Sequence, residues 1–477
     1  MHNKSYFVNV IKQFASASGE KQAISVYDGL QVRSISYPEF ADDILKVAGY
    51  FKANNICNQH IALIASNCYE SLVVLYGIIT SGNVAALLNP ALPDDELRRQ
   101  CVQADVSMTW SDKSTCFELR SALDDARLLS YDEVKLLAPI QFDDIHPAEP
   151  DKTILLLSTS GTTGKSKIVE ISIKNIANYF DSYPAVDTLI GLDRLLWVLP
   201  LYHIGGVGSA MLALSRGKTV CIGRGMRYIF MDLNTLHPTY TIFVPVMLES
   251  LEKIYKDTTA EERMKRFGGS LKRINVAGAA SKPATCQYLM EQGLILETAY
   301  GMTETTGVGT WGEWTVDTIG SIGKVGKNVQ CRIKDGEILL KSDAIMKGYY
   351  KDPEETAKVI VDGWLHTGDM GYCDENGYYY ITGRKKNVII LSNGENVNPE
   401  EIEATFGACT AIEECMVYSD GKGICADVFA NDPDSAATYI KHYNESMPMY
   451  RQVYKVNYSS EPLPKTSSGK IKRKENS

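Results

Sequence analysis

No stretch of this chain approaches the roughly 18 uninterrupted apolar residues of a membrane-spanning helix, and the opening segment MHNKSYFVNVIKQFASASGE holds no apolar run of signal-peptide length. Cysteine occurs 11 times, an odd count without a C-x-x-C pair or framework spacing, which argues against a disulfide-stapled secreted scaffold and against a structural zinc site. The 7 histidines show no H-x-x-x-H spacing, so nothing points to a metal held mainly by imidazole. Basic residues are outnumbered, with 49 Lys and Arg against 58 Asp and Glu, and the net charge of -9 leaves no general electrostatic reason to bind nucleic acid or an anionic membrane. The closing residues Glu475, Asn476 and Ser477 are not a peroxisomal S-K-L. A cytoplasmic protein with no nucleic-acid partner and no membrane span is expected.

What is present is ample apolar material: 44% of 477 residues, enough for a large core. At about 150 residues per domain this allows three blocks, or one large unit and a smaller one. From residue 36 to about 300, short β-rich runs alternate with segments of helical length, the pattern of an α/β protein with largely parallel sheets. The expected strands are IALIA (61–65), TILLLS (153–158), RLLWVLP (194–200), TIFVP (241–245) and RINVAG (273–278). ESLVVLYGIITSG and DDELRRQCVQA between them have the length and spacing of helices. After residue 320, turn signals at Asp335-Gly336 and Asn376-Gly377 predict small antiparallel hairpins. The last ~90 residues return to mixed α and β, a domain-sized block that follows the charged stretch Gly383 to Asn387. The expected organisation is a large N-terminal domain, residues 1–384, of mostly parallel sheets flanked by helices with a small β subdomain, and a small mobile α+β lid domain, residues 385–477.

The most informative segment runs from the apolar strand at 153–158 into Thr159, Ser160, Gly161, Thr162, Thr163, Gly164 and Lys165. Glycines and small hydroxyl residues after a strand leave N–H and O–H groups free to wrap a phosphate, and lysine adds charge. An ordinary surface loop has the same composition. Gly164-Lys165-Ser166 also matches the end of a Walker A loop, but Thr159 stands where its first glycine belongs.

The loop resembles the signature T-S-G-T-T-G-x-P-K-G of the adenylate-forming superfamily, which includes acyl-CoA synthetases, luciferases and peptide-synthetase adenylation domains. Thr159 to Gly164 and Lys167 keep that pattern, while Ser166 replaces the usual proline and Ile168 the usual glycine. LPLYHIGG (199–206), AYGMTET (299–305), GWLHTGD (363–369) with GRKKN (383–387), and PKTSSGK (464–470) follow in the family's order. A chance Ser/Thr/Gly loop does not predict four further motifs.

The resemblance implies ATP, Mg²⁺ and a thiol as reactants, and it assigns residues. Thr159 to Gly164 and Lys167 bind phosphate. Glu304 is the magnesium ligand, in keeping with the preference of a hard cation for a carboxylate. Thr303 contacts the α-phosphate, Tyr300 lies at the adenine, and Asp369 accepts from the ribose hydroxyls, for which its two oxygens suit it. Arg384 reaches the ribose and phosphate region, and Lys386 is a hinge. Lys470 is the catalytic lysine, a mobile ammonium that neutralises charge in the adenylation transition state. Each has a bland alternative as a turn residue, a solvated charge or a frayed basic tail.

In the family, amino-acid-activating members carry an Asp in an F-D-x-S element. This chain has the P-L-[FY]-H form of acyl- and aryl-CoA ligases, so the resemblance implies an ATP-dependent acid:CoA ligase for a fatty, aryl or o-succinylbenzoate-type acid. His203, Gly205, Val207 and Ala279 are the expected acid-pocket residues. LSNGENVNPEEIE (391–403) resembles the segment that lines the thiol tunnel, with Asn393 in place of a glycine. Coenzyme A and a pantetheinylated carrier protein both remain open as acceptor, luciferase-type oxidation is not asked for, and a P-loop NTPase or a non-catalytic nucleotide-binding protein is the alternative of a different class.

Overall fold

The computed structural model describes residues 6–29, 31–111, 127–128, 137–145, 148–159, 166–183, 192–391, 395–465 and 471–473. Contacts divide the chain into two compact units, Met1–Gln330 with Lys341–Leu365, and Cys331–Leu340 with His366–Ser477. No helix among the described residues is long and apolar enough to cross a membrane.

The first unit holds two large sheets. In the nine-stranded one, Gln22–Asp28, Thr219–Ile222, Arg194–Trp197, Tyr240–Phe243, Arg273–Val276 and Ile295–Tyr300 lie side by side in parallel. Antiparallel strands Gln31–Ser36 and Thr310–Glu313 flank that run. In the seven-stranded one, Thr153–Thr159, Val84–Leu88, His60–Ile64, Val106–Ser111 and Arg127–Leu128 are parallel, and Lys167–Ser172 turns back antiparallel on the first of them. Parallel strands covered on both faces need continuous apolar runs. VAALL at 84–88 is buried at every position. Ile61, Leu63 and Leu155 of one sheet and Leu195, Trp197 and Val220 of the other enter one contiguous buried cluster, together with helices Tyr37–Ala53 and Tyr69–Thr80.

Three expected strands end two or more residues early, each for a local reason. RLLWVLP pairs only through Trp197, after which Leu199 to Tyr202 turn into the helix Ile204–Ser215. TIFVP stops at Phe243 because Pro245 opens the helix Pro245–Lys256, where its missing N–H costs nothing. RINVAG stops at Val276, and Gly278 adopts φ +91, a conformation open to glycine.

In the second unit, Gln330–Lys334 and Glu337–Lys341 form the hairpin expected around Asp335-Gly336, with Asp335 at φ 52 and Gly336 at φ 76. Trp364–Cys373 pairs antiparallel with Tyr379–Arg384. By compactness this small sheet goes with the C-terminal residues, so the expected division at 384/385 falls inside the second unit. Beyond it, Ile412–Ser419, Ile424–Ala430 and Val453–Ser459 form a three-stranded sheet, and helices Pro399–Phe406 and Pro433–Ser446 contribute to its core through Ile402, Phe406, Ala436 and Ile440.

Candidate active site

The phosphate-loop candidate springs from the end of a buried strand. Thr159 pairs in register with Lys167, and its Oγ1 donates to the Lys167 carbonyl at 3.3 Å, which closes the base of the loop. Ser160, Gly161, Thr162, Thr163 and Gly164 lie outside the described residues. Because the chain returns as the antiparallel strand Lys167–Ser172, the loop joins strand to strand. A Walker A loop joins strand to helix, so the P-loop NTPase alternative is corrected by topology as well as by spacing. Ile168, where the motif usually has glycine, is a buried strand residue packed with Val84, Ala86 and Leu156.

Lys167 does not point into open solvent. Its Nζ pairs with Glu355 Oε2 at 2.6 Å and lies 4.7 Å from the centre of the Tyr349 ring. Glu355 stands in the first turn of the helix Pro353–Val359, and hydrogen bonds from Lys167 and then Lys358 hold its carboxyl down at about 2.

AYGMTET begins at the C-terminal end of a parallel strand, the edge at which open α/β sheets place ligands. Tyr300 is the last residue of that strand and is mostly buried. A tight turn follows. Gly301 is required there, since a Cβ would meet the Gly307 carbonyl carbon at 2.4 Å. Thr303 to Thr305 form a single 3-10 turn, closed by the Met302 N–H donating to Thr305 Oγ1 at 3.0 Å. Thr306 then adopts φ 53, unusual for a β-branched residue, and its hydroxyl donates to the Ala344 carbonyl at 2.7 Å. This turn carries Glu304 inward, 8% exposed, with its carbonyl accepting from the Met346 N–H at 2.8 Å and its Oε1 accepting from the Tyr349 hydroxyl at 2.9 Å. Burial, and then the Glu304 carboxylate, push the Tyr349 phenol well above its usual range.

A buried carboxylate with one oxygen so engaged fits a Mg²⁺ that keeps water and phosphate as its other ligands. Among the described residues no group of three or more His, Cys, Asp or Glu forms a protein cage for a metal.

The LPLYHIGG turn is clamped by Asn67, whose Nδ2 donates to the Leu199 carbonyl and whose Oδ1 accepts from the Leu201 N–H, both at 2.8 Å. His203 is exposed at the N-cap of the helix Ile204–Ser215, its ring 4.7 Å from that of Tyr202. Gly205 is half-buried, and Ala279 is exposed in the segment after the strand Arg273–Val276. Val207 is 0% exposed and belongs to the central core, so it can support a pocket wall only from behind.

In the second unit, Asp369 and Arg384 face each other across the β ladder. Arg384 Nε lies 2.7 Å from Asp369 Oδ1, and Arg384 Nη1 donates to the Thr367 carbonyl at 3.2 Å. Asp369 is 3% exposed, and its N–H is held by Thr367 Oγ1 at 3.0 Å. Glu337 anchors the neighbourhood: its carboxylate accepts from the Gly368 N–H at 3.0 Å and from Lys385 Nζ at 2.8 Å, and His366 Nδ1 lies 3.0 Å away. Burial opposes ionisation of Glu337, but Lys385, His366 and the Gly368 amide outweigh it, and its carboxyl titrates below the usual range. Lys386 is exposed within the 3-10 turn Lys385–Asn387.

Asn393 and Lys470 lie outside the described residues. The chain on either side of 466–470 is fastened. Lys465 and Ile471 form a β-bridge, and Lys465 Nζ pairs with Glu414 Oε1 at 2.5 Å. Arg473 Nη2 pairs with Glu403 Oε2 at 2.6 Å and lies 3.2 Å from Glu400 Oε1. An open groove of about 530 Å³ on this unit, lined by Ile440, Asn444, Val453 and Tyr458 among others, contains none of the site residues.

Within the first unit, then, Lys167 and Glu304 meet on the same Tyr349 side chain, and within the second Asp369 meets Arg384. Tyr349, Glu355, Asn67 and Glu337 were not indicated by the sequence. Each acts through a contact between segments distant in the chain, and none belongs to a motif that announces itself by spacing.

Two family models match the chain: AMP-binding enzyme over residues 11–350, and AMP-binding enzyme C-terminal domain over residues 386–477. The chain is similar to a 2-succinylbenzoate–CoA ligase of Oceanobacillus iheyensis, with 28% identity covering 96% of each chain. It is also similar to a long-chain-fatty-acid–CoA ligase of Bacillus subtilis, with 26% identity over 98% of this chain and 93% of that one. Among solved structures it resembles the o-succinylbenzoate coenzyme A synthetase of Bacillus subtilis in complex with ATP and magnesium ion, with a TM-score of 0.84 and 25% identity over 97% of this chain and 98% of that one.

Proposed function

The chain belongs to the AMP-binding enzyme family, and from that premise we propose that it is an ATP-dependent carboxylic acid:CoA ligase whose substrate is an aryl acid of the o-succinylbenzoate type. The observation that carries the reading is the end-to-end similarity, across 96% of this chain, to a 2-succinylbenzoate–CoA ligase. The P-L-Y-H turn at 200–203 supports it against amino-acid activation. In the first step a carboxylate oxygen attacks the α-phosphorus of ATP, the bond to the β-phosphate oxygen breaks, and pyrophosphate leaves. In the second the thiol gives up its proton, sulfur attacks the acyl carbon, and AMP leaves.

Residue roles follow the chemistry of each group. Thr159, the loop 160–164 and Lys167 grip phosphate oxygens, with Lys167 exchanging Glu355 for phosphate. Bound Mg²⁺ neutralises phosphate charge, and Glu304 is the carboxylate that holds it. Thr303 contacts the α-phosphate and Tyr300 the adenine. Asp369 accepts from the ribose hydroxyls beside Arg384. His203, Gly205 and Ala279 face the acid, backed by Val207. Lys470 neutralises charge as the acyl-adenylate forms. We place the reaction in the cytoplasm, where thiols without framework spacing stay reduced.

Asp369→Ala is expected to weaken ATP and AMP together, because the ribose is common to both. Each hydroxyl left unpaired should cost about 1–3 kcal/mol, roughly one to two decades in affinity. Calorimetric titration of AMP checks this, and an unchanged affinity removes Asp369 from the site.

We propose Lys386 as the hinge of a C-terminal lid, residues 385–477, that serves the two steps in turn. Lys386→Pro should retain pyrophosphate release and lose thioester formation, because a fixed φ hinders rotation at that residue. The proposed function itself is tested by incubating the protein with ATP, Mg²⁺ and a panel of fatty and aryl acids, with coenzyme A or a pantetheinylated carrier protein as acceptor. Mass analysis should detect an aryl-CoA. Acylated carrier without acyl-CoA would replace the acceptor, and ATP hydrolysis indifferent to acid would reject the reading.

A further inference from the structure

Tyr349 lies outside every motif that the resemblance supplied, yet two motif residues converge on it. Its hydroxyl donates to Glu304 Oε1 at 2.9 Å, and the Lys167 ammonium stands 4.7 Å from its ring centre. The phenol is itself held in place. Gly348 and Tyr349 pair antiparallel with Glu170 and Val169, and the Tyr349 N–H donates to Thr356 Oγ1 at 2.8 Å. Tyr349 is 7% exposed and Glu304 8%, so water does not freely replace the bond between them.

We propose that Tyr349 is a positioning residue for the metal: by fixing one oxygen of the Glu304 carboxylate it leaves the other aimed as a single, pre-oriented ligand for Mg²⁺ on the nucleotide. The proposal rests on the reading of Glu304 as the metal ligand. The geometry supports it in two respects. Among the described residues only Tyr349 hydrogen-bonds the carboxylate, through Oε1, which leaves Oε2 to a cation. The backbone of Glu304 is pinned independently by the Met346 N–H, so the phenol governs side-chain rotation and not the path of the turn. A hydrogen bond behind a metal ligand typically sets metal affinity by 10- to 100-fold, and a carboxylate that must otherwise be oriented on binding loses that advantage.

The test measures metal binding without turnover. Mn²⁺ is titrated by electron paramagnetic resonance into full-length protein saturated with α,β-methylene-ATP, whose α–β bond cannot be cleaved. Tyr349→Phe keeps the ring and the Lys167 contact, and should weaken Mn²⁺ by about 10-fold while leaving metal-free binding of the analogue unchanged. Glu304→Gln should weaken Mn²⁺ further, and Tyr349→Phe added to it should cause no additional loss, since the tyrosine acts through the carboxylate. Wild-type Mn²⁺ affinity in Tyr349→Phe, with Glu304→Gln impaired, would overturn the proposal and leave the Glu304 assignment standing. Wild-type Mn²⁺ affinity in Glu304→Gln would overturn that assignment, and the proposal with it. A loss of metal-free analogue binding in Tyr349→Phe equal to the loss of Mn²⁺ would make the tyrosine merely structural and would also overturn the proposal.

Discussion

Lys470→Ala is expected to reduce acyl-adenylate formation from ATP and acid by two to three orders of magnitude, the usual effect of deleting one pre-placed donor at a charged transition state. It should leave thioester formation from supplied acyl-adenylate near the wild-type rate. In the first step negative charge builds on the α-phosphate oxygens as pyrophosphate departs, and this is the charge the proposed Lys470 ammonium neutralises; in the second it builds on the acyl carbonyl oxygen and the departing AMP, a step in which Lys470 is assigned no part. The anchors on either side of 466–470 are made by other residues. Lys465 with Glu414 before it, and Arg473 with Glu403 and Glu400 after it, fasten the chain on both sides. The substitution therefore removes the charge and leaves its mounting. Pyrophosphate release and thioester yield, assayed separately, check the prediction. Equal loss in both steps would remove the lysine's assignment to adenylation.

Glu304→Gln is the second large effect. The change is isosteric and the new amide oxygen can still accept from Tyr349, so the fold and its melting temperature should be unchanged. What is lost is the negative charge that a hard cation requires. Turnover at limiting Mg²⁺ should fall by about 100-fold, in line with the several kcal/mol that a correctly placed cation contributes at phosphate, and excess Mg²⁺ should restore part of it. A magnesium titration of the initial rate measures both, and wild-type turnover at low Mg²⁺ would exclude Glu304 as the ligand.

Legibility in the sequence followed the physics of each feature. The central strands could be read because parallel strands buried on both faces must be continuously apolar, as VAALL and TILLLS are. The N-terminal hairpin Gln22–Asp28 and Gln31–Ser36 was missed, although it extends the nine-stranded sheet: its outer strand Gln31–Ser36 is an exposed edge rich in polar residues, and its inner strand QAISVYD is a short mixed run without a continuous apolar stretch. Strand ends were overestimated at Trp197 and Phe243, where a turn or a helix-opening proline overrides the apolar run. The departure at Ile168 could not be judged from sequence. Only the antiparallel return of 167–172 shows an aliphatic side chain to be wanted there.

Motif residues were legible by type and order, whereas their supports were not. Glu304 is visible as an acid in a recognisable turn, but the phenol that holds it comes from 45 residues further along the chain. Asp369 and Arg384 appear as separate motif residues, and only the register of the ladder makes them a pair. Glu337 is an ordinary acid beside a hairpin turn until His366, Gly368 and Lys385 are found around it.

The central claim is that this chain activates a carboxylic acid by adenylation, and isotope exchange between pyrophosphate and ATP tests it most directly. Full-length protein is incubated with ATP, Mg²⁺ and labelled pyrophosphate, with each acid of a panel in turn and with no thiol present. The account predicts that label enters ATP only when an acid is supplied, most strongly with an o-succinylbenzoate-type acid, and that Lys470→Ala slows the exchange by two to three orders of magnitude. Exchange that proceeds without any acid, or no exchange with any acid while the protein still binds ATP, would contradict it.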